Sequence, residues 1–357
     1  MSDDLFHALE YFWHPVATLS ELQAAGGVMA ARLLGRDLAI AHLGVDPAGV
    51  ATIGAWVDRC PHRSTRLSVG CVDGQALRCA YHGWRWAPDG RCVEVPSAPG
   101  RPVPDRFRQE AFEAVVEHDL VWVRLRGQAH TRIPTMPAAT DPTMRLTHGS
   151  PYVWPTGATR RVENFVDLAH FAWVHDGTLG DRGHPVPPEV SVRRVAGELR
   201  FTFVPPPIAP SGQAALFGDS YYRMPMPLTV NIDFAIAGSP GVRRHLWMTA
   251  APVEQGVCRS YWVIARNDGH DLPDEDFLDF QRLVLDEDEP VVCNQVPAEI
   301  PFRGEELHVR ADRVSIEYRR WLEELVTAAG AGAEALDVAL GSAVPGATAK
   351  EEPACAT

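Results

Sequence analysis

Side chains able to do redox or metal chemistry concentrate in two places in this 357-residue chain. In the first, Cys60-Pro61-His62-Arg63 is followed by Cys79-Ala80-Tyr81-His82-Gly83-Trp84, with sixteen residues between His62 and Cys79. Each segment offers one thiolate and one imidazole on a turn, with Pro61 fixing the backbone of one and Gly83 freeing the other. Brought tip to tip, the two loops make a four-ligand pocket. Zinc accepts a set of two Cys and two His, but its sites commonly group Cys with Cys and His with His, whereas here each loop mixes them. The mixture suits a two-iron cluster, with both thiolates on one iron and both imidazoles on the other. Two neutral imidazoles in place of two anionic thiolates reduce the negative charge of the site, so its potential rises above that of an all-Cys cluster. The imidazoles can lie at the surface, where an electron leaves.

The second place is Glu163-Asn164-Phe165-Val166-Asp167-Leu168-Ala169-His170-Phe171-Ala172-Trp173-Val174-His175. Val162, Phe165, Val166, Ala169 and Ala172 repeat at three and four, which predicts a helix over 159–178. Five residues on a regular helix turn roughly 500°, about 140° off the starting face. His170 and His175 therefore converge only if the helix is bent or bulged between them, as happens at functional sites. Asp167 lies three before His170, where a carboxylate can accept the imidazole N–H and fix its tautomer. An open mononuclear iron site needs a third ligand, ideally a carboxylate. A helix predicted over 273–296 offers Asp286, Glu287, Asp288 and Glu289. Only Asp288 shares the stripe of Phe277, Phe280, Val284, Val291, Val292 and Gln295, and a carboxylate facing a core needs a partner such as a metal. Pro290 is expected to kink that helix. The competing readings are core histidines satisfied by hydrogen bonds and a solvated acidic turn.

The elements that must hold these groups follow from the rest of the chain. An apolar fraction of 46% and a charged fraction of 22% describe a chain able to bury a sizeable core. Its 29 glycines and 30 prolines predict many turns and much β structure. Residues 1–125 read as a β-rich domain with an N-terminal extension, and 126–150, with Pro134, Pro137 and Pro142, as a linker. Residues 151–328 form a second domain. There, strands between 189 and 266 precede the 273–296 helix and a last helix over 312–328. Residues 329–357 lose periodicity and read as a mobile tail. With 33 basic against 46 acidic residues, the net charge of −13 disfavours nucleic acid and anionic membranes as partners. No apolar run is long enough to span a membrane, and the N-terminus lacks a signal pattern, so a cytoplasmic location is expected. Seven cysteines, an odd number and unevenly spread, argue against a disulfide framework. Cys71 and Cys92 are expected to be structural thiols.

The first constellation closely resembles the Rieske [2Fe-2S] motif, in its flanks Cys-Pro-His-Arg and Tyr-His-Gly-Trp as well as its ligands. With the second, the chain resembles a Rieske non-haem iron oxygenase over about residues 10–325. Asn164, Asp167, His170 and His175 match the Asn-x-x-Asp-x-x-His-x4-His pattern of that family. The run at 287–292 is similar to the family segment with the third ligand, which puts it on Asp288. The ending from Arg310 to Leu322 resembles the branch of vanillate O-demethylase, dicamba monooxygenase and pheophorbide a oxygenase. The resemblance implies an α+β architecture: an all-β Rieske domain, then a helix-grip, START-like domain with a curved antiparallel sheet. It implies two cofactors, a [2Fe-2S] cluster on Cys60, His62, Cys79 and His82 and a mononuclear Fe(2+) on His170, His175 and Asp288. Asn164 and Asp167 become catalytic residues, with Asp167 bridging His82 of one subunit to His170 of the next in a head-to-tail homotrimer.

The implied activity uses O2 to hydroxylate a small or medium aromatic or polycyclic substrate, or to remove a methyl group from its oxygen or nitrogen. Electrons must come from a separate ferredoxin or NAD(P)H-dependent reductase, since no flavin or nicotinamide fingerprint is present. The alternatives are cis-dihydroxylation or oxidative cyclisation at the same iron, an electron carrier with a degenerate second domain, and a binding module with structural histidines. Leu228, Val230, Ile232 and Trp247 are pocket candidates because they fall in strand-like stretches, and His184 is a further polar candidate.

Overall fold

Leu38-Ala39-Ile40-Ala41 is an unbroken apolar run, and strand alternation sends its side chains to two different cores. Leu38 and Ile40 join a large core shared with the C-terminal half, whereas Ala39 and Ala41 join a smaller one built with Trp56, Cys60, Leu67, Cys79 and Trp86. In the computed structural model, residues 2–127, 129, 131–204, 217–302, 304 and 306–341 are described.

The N-terminal half begins with helix α1 (Ser2–Leu9), strand β1 (His14–Thr18) and helix α2 (Leu19–Ala24). Helix α2 opens on a capping box between Thr18 and Glu21. Strands β2 (Val28–Leu33), β3 (Arg36–Val45) and β4 (Ala51–Val57) form a meander. The short strands β5 (Cys71–Asp73), β6 (Ala76–Arg78), β7 (Arg85–Trp86) and β8 (Cys92–Glu94) follow, then β9 (Ala111–Glu117) and β10 (Leu120–Arg124). The long strands make a six-stranded antiparallel sheet in the order β1-β10-β9-β4-β3-β2, and the short ones a four-stranded sheet in sequence order. The segment carrying Cys60 and His62 joins the two sheets, and the Cys79–His82 turn lies inside the smaller one.

The C-terminal half is a curved antiparallel sheet with helices against it. Its strands are β11 (Arg145–His148), β12 (Tyr152–Trp154), β13 (Arg193–Val195), β14 (Glu198–Phe203), β15 (Phe217–Pro225), β16 (Thr229–Ile236), β17 (Arg243–Glu254) and β18 (Val257–Arg266). Their order is β11-β18-β17-β16-β15-β14-β13, with β12 also paired to β18. Helices α3 (Ala158–Val166), α4 (Phe171–Val174), α5 (Glu275–Val292), α6 (Arg313–Ala331) and α7 (Ala333–Ala339) complete it. Asp274, just before α5, accepts hydrogen bonds from Arg145, Thr147 and Arg266 at 2.8–2.9 Å. The two guanidiniums hold its carboxyl down at about 2, so the start of α5 is tied to strands β11 and β18. Arg319 of α6 grips Glu163 of α3 through two parallel bonds of 2.5 and 2.7 Å. The two halves join directly: the Leu34 and Gly35 N–H groups each donate at 2.8 Å to the carbonyls of Pro252 and Val253.

Three expectations change. The 126–150 stretch, read as a linker, supplies β11 to the C-terminal sheet, because Leu146 and Thr147 find partners on β18. Helix α5 continues through Pro290 to Val292, with the proline in its last turn, and Val291 on the expected apolar stripe is exposed. The mobile tail expected from 329 is, over its described residues to 341, helical. Helix α6 runs to Ala331, Gly332 turns the chain at φ 117°, and α7 buries Leu336 and Leu340 while the Trp321 indole donates to the Ala339 carbonyl at 3.0 Å. An Ala-rich stretch hides such a pair of leucines four apart. The remainder of that tail, 342–357 with Cys355, lies outside the described residues.

His14 is buried, and its Nε2 donates to the Leu9 carbonyl at 2.8 Å. Burial pushes its pKa down to about 4, with the hydrogen bond offsetting a part. Unfolded, the imidazole takes up its proton near 6.5, so between those values the unfolded chain binds more protons and stability falls as pH falls. The loss, complete by about pH 4, is on the order of 3 kcal/mol. Thermal unfolding of wild type and His14→Gln over pH 4–7 checks this: the variant should lose that part of the slope, and parallel curves would contradict it.

Candidate active site

The four residues of the first constellation sort by depth. Cys60 and Cys79 are buried, His62 is half-buried and His82 is exposed. Both loops are tight turns closed on the cysteine carbonyls, with Ser64 N–H donating to Cys60 and Gly83 N–H to Cys79. Gly83 has a φ of 70°, a conformation that costs glycine nothing. The imidazoles of His62 and His82 meet edge to face with centroids 4.5 Å apart, and Trp84 stacks on His62 at 4.4 Å. Burial, reinforced by the facing Cys79 thiol, pushes Cys60 up to about 11. Such a thiol stays protonated unless a cation compensates the charge of its thiolate, which is what a bound iron supplies. The donor set thus fits a [2Fe-2S] cluster with its thiolate iron inside and its imidazole iron at the surface. Cys71 and Cys92 are free thiols: Cys71 is exposed and accepts from Arg78, and Cys92 lies against the Glu94 carbonyl.

The second constellation forms where α3 breaks. Asp167 leaves the helix with extended backbone (φ −77°, ψ 119°), and its Oδ1 accepts the Ala169 N–H at 2.8 Å. The chain then re-enters one helical turn, α4, bracketed by His170 and His175. The interruption lies before His170, not between the histidines as expected, because the aspartate captures the local N–H that would have continued the helix. The Nε2 atoms of His170 and His175 come within 3.2 Å. Asp288 Oδ1 lies 3.5 Å from the first and 3.2 Å from the second. These three are the described His, Cys, Asp or Glu side chains whose donor atoms converge closely enough to hold a metal ion. Of the four neighbouring acids of α5, Asp288 alone is buried.

Electrostatics reinforce the geometry. Burial disfavours the charged form of Asp288, but His170, His175 and Arg161 outweigh it and hold the carboxyl well below the usual range. Burial likewise opposes a charged His170, yet the carboxylates of Asp167 and Asp288 raise it to about 9. Without a metal, the site needs a proton where a divalent cation would serve better. Asp167 Oδ2 lies 3.6 Å from His170 Nδ1, a buried nitrogen with no hydrogen-bond partner among the described residues. Asn164 Nδ2 donates to Asp288 Oδ1 at 3.2 Å.

Above the triad opens a cavity of about 420 Å³. Tyr222, Ile232, Met248, Ile264, Phe277 and Val284 give it an apolar wall. Of the pocket candidates, Ile232 lines it and exposed His184 stands at its rim. Leu228 and Val230 share the face of Ile232 but lie further along the chain from the cavity, in the main core, whereas strand alternation turns Trp247 to the opposite face, where it packs against Trp122 in a third core. The sequence reading missed three site residues. Glu287 accepts a 2.7 Å bond from His175 Nδ1, which directs Nε2 toward Asp288, and is itself held by the Thr178 hydroxyl. Gln281 lies in the cavity seven before Asp288, on the same helix face, a spacing visible in the sequence. Arg161, buried beside Asp288, left no signal, since a charged residue in a polar helix passes for a solvated one.

The geometry agrees with comparisons to known proteins. Residues 12–109 match the Rieske [2Fe-2S] domain and residues 154–328 the vanillate O-demethylase oxygenase C-terminal domain. Methylxanthine N3-demethylase NdmB of Pseudomonas putida is 40% identical over 343 residues, covering 92% of each chain. The chain belongs to the Rieske non-haem iron oxygenases. Methylxanthine N1-demethylase NdmA of the same organism is 37% identical over 93% of each chain. A solved structure of P. putida NdmA with caffeine superposes with a TM-score of 0.88 at 36% identity, covering 94% of this oxygenase and 96% of that chain. Dicamba monooxygenase bound to dicamba, at 24% identity and a TM-score of 0.73, shares the fold. The cofactors of this oxygenase are a Rieske [2Fe-2S] cluster and mononuclear iron.

Separate substitutions should separate the centres. His170→Ala should lower iron from about three to about two per chain and leave the cluster absorption intact, while Cys60→Ser should abolish that absorption. Metal analysis and visible spectroscopy check both. Full iron content in His170→Ala would contradict the assignment.

Proposed function

We infer that this oxygenase removes an N-methyl group from a neutral, flat heteroaromatic substrate of the methylxanthine kind. His170, His175 and Asp288 hold the mononuclear iron, and Cys60, His62, Cys79 and His82 hold the cluster. The Rieske unit occupies residues 1–125 and the catalytic unit 151–328, extended by β11 on one side and α7 on the other. The observation that carries this reading is three convergent metal-ligating side chains at the base of an apolar cavity. When bound, the cluster passes single electrons and the iron activates dioxygen at positions the three side chains leave open. The overall reaction balances as N–CH3, O2, two electrons and two protons giving N–H, formaldehyde and water.

Cavity chemistry supports a neutral substrate. Arg244 is engaged by Asp268 at 2.8 Å, and Arg161 by Asp288, so among the described lining residues neither cation is free for a carboxylate. Burial lowers the pKa of His245, which keeps that ring neutral at physiological pH. Gln281 presents a donor and an acceptor beside the apolar side chains of the wall, suited to the alternating edge of a purine-like ring. The N-demethylase activities of NdmA and NdmB favour the same substrate class.

The chain's own residues do the positioning. Glu287 fixes the tautomer of His175, and Asn164 donates to the coordinating face of Asp288. Asp167, half-buried beside His170 Nδ1, is placed to accept an imidazole from outside. In a head-to-tail homotrimer that imidazole is His82 of the partner subunit, exposed here, and the carboxylate then links the two metal sites. A separate ferredoxin or NAD(P)H-dependent reductase in the cytoplasm supplies the electrons. Part of the chain, over 114 residues, is 38% identical to the oxidoreductase NdmD. No described helix is long and apolar enough to cross a membrane.

With a surrogate reductase, N-methylated xanthines should release one formaldehyde per O2 consumed. Oxygen uptake without formaldehyde, or a product retaining both atoms of labelled O2, would replace demethylation by dihydroxylation. Asp167→Asn should keep both metals but slow electron transfer between them. Normal single-turnover kinetics in that variant would remove the bridge.

A further inference from the structure

Arg161 stands out among the buried charges. Its side chain is 1% exposed, one helical turn before Asn164 and Phe165. The guanidinium lies over the rings of Phe165 and Trp154, 4.1 and 4.3 Å from their centroids, and its Nε donates to the Tyr152 hydroxyl at 2.9 Å. Its Nη1 donates to Asn164 Oδ1 and, at 3.3 Å, to Asp288 Oδ2. A methionine would fill that aromatic slot without the cost of burying a cation, so packing alone does not call for arginine.

What arginine adds is a choice between atoms. By taking Asp288 Oδ2, it leaves Oδ1 as the oxygen beside both imidazole Nε2 atoms, 3.5 and 3.2 Å away. By taking Asn164 Oδ1, it turns the amide nitrogen inward, 3.2 Å from Asp288 Oδ1 and 3.5 Å from His170 Nε2. Asn164 is thereby a donor to the site and not an oxygen ligand. We propose that Arg161 is a positioning residue that makes Asp288 a one-oxygen ligand, keeping its second oxygen off the iron. The proposal rests on the iron site inferred above. A planar fork held by an aromatic box suits this task, because it fixes direction as well as charge. One-oxygen binding leaves one more coordination position open than chelation by both oxygens would.

A crystal structure of the iron-loaded wild-type protein tests this directly. The expected result is Asp288 bound through Oδ1 at roughly 2.0–2.2 Å, with Oδ2 still on Arg161. Iron chelated by both oxygens overturns the role of Arg161 and leaves the iron site standing. Iron absent from the three side chains overturns the underlying reading instead. Arg161→Met should let both oxygens bind and lower iron affinity about 10- to 100-fold in chelator competition, with the cluster spectrum unchanged. Arg161→Lys, which keeps the charge but not the fork, should recover part of that affinity. A folded Arg161→Met protein with one-oxygen binding and wild-type iron affinity overturns the proposal. Should that variant not fold, the wild-type coordination decides alone.

Discussion

A carboxylate buried within 3.5 Å of two imidazoles organises this molecule. Burying Asp288 is unfavourable unless its charge is met, and the chain meets it from three directions: imidazoles from α4 and its flanks, an amide and a guanidinium from α3. Each donor is itself braced. Glu287 orients His175, Arg319 and Glu306 anchor α3 through Glu163 and Arg160, and Arg145 and Arg266 pin the start of α5. These supports join three helices and two strands distant in sequence, so the site exists only once the whole C-terminal half has folded. Pre-organisation of this kind is what metal-binding side chains need to hold an open coordination sphere.

The same logic of depth governs the other centre. There the sulfur ligands are placed inside, against a core of their own, while the imidazoles face outward. An electron can therefore enter or leave without opening the protein. The half-buried carboxylate of Asp167 lies in a second pocket that shares Asn164, His170 and Asp288 with the apolar cavity. The triad thus borders two pockets of different character, one mostly apolar and one lined by Arg160, Glu163, Asp167, Glu306 and Arg319.

Much of this was legible in the sequence because ligand chemistry restricts residue type so strongly. Two turns that each pair a Cys with a His suit little besides a two-iron cluster, and a single acid on the apolar stripe of a helix singled out Asp288. Local features that depend on one side chain capturing one backbone group were harder. Asp167 breaks its helix by bonding the Ala169 N–H, which no periodicity reveals. Leu336 and Leu340 anchor α7 from a stretch whose composition reads as featureless. Strand alternation excluded Trp247 from the cavity, but Leu228, Val230 and Ile232 share one face, and which of them reaches the cavity depends on where the helices cover the sheet, which is set by partners far along the chain. Arg161 was invisible because its meaning lies in three aromatic rings and two side-chain oxygens that meet it only in the folded state.

The central claim is that two iron centres sit on these two sets of side chains. Anomalous diffraction at the iron edge, on crystals of anaerobically reconstituted protein, tests it most directly. Two separate peaks are predicted, one enclosed by Cys60, Cys79, His62 and His82 and one touching His170, His175 and Asp288. A map with iron at the first set and nothing at the second, in protein given excess ferrous iron, would contradict the account.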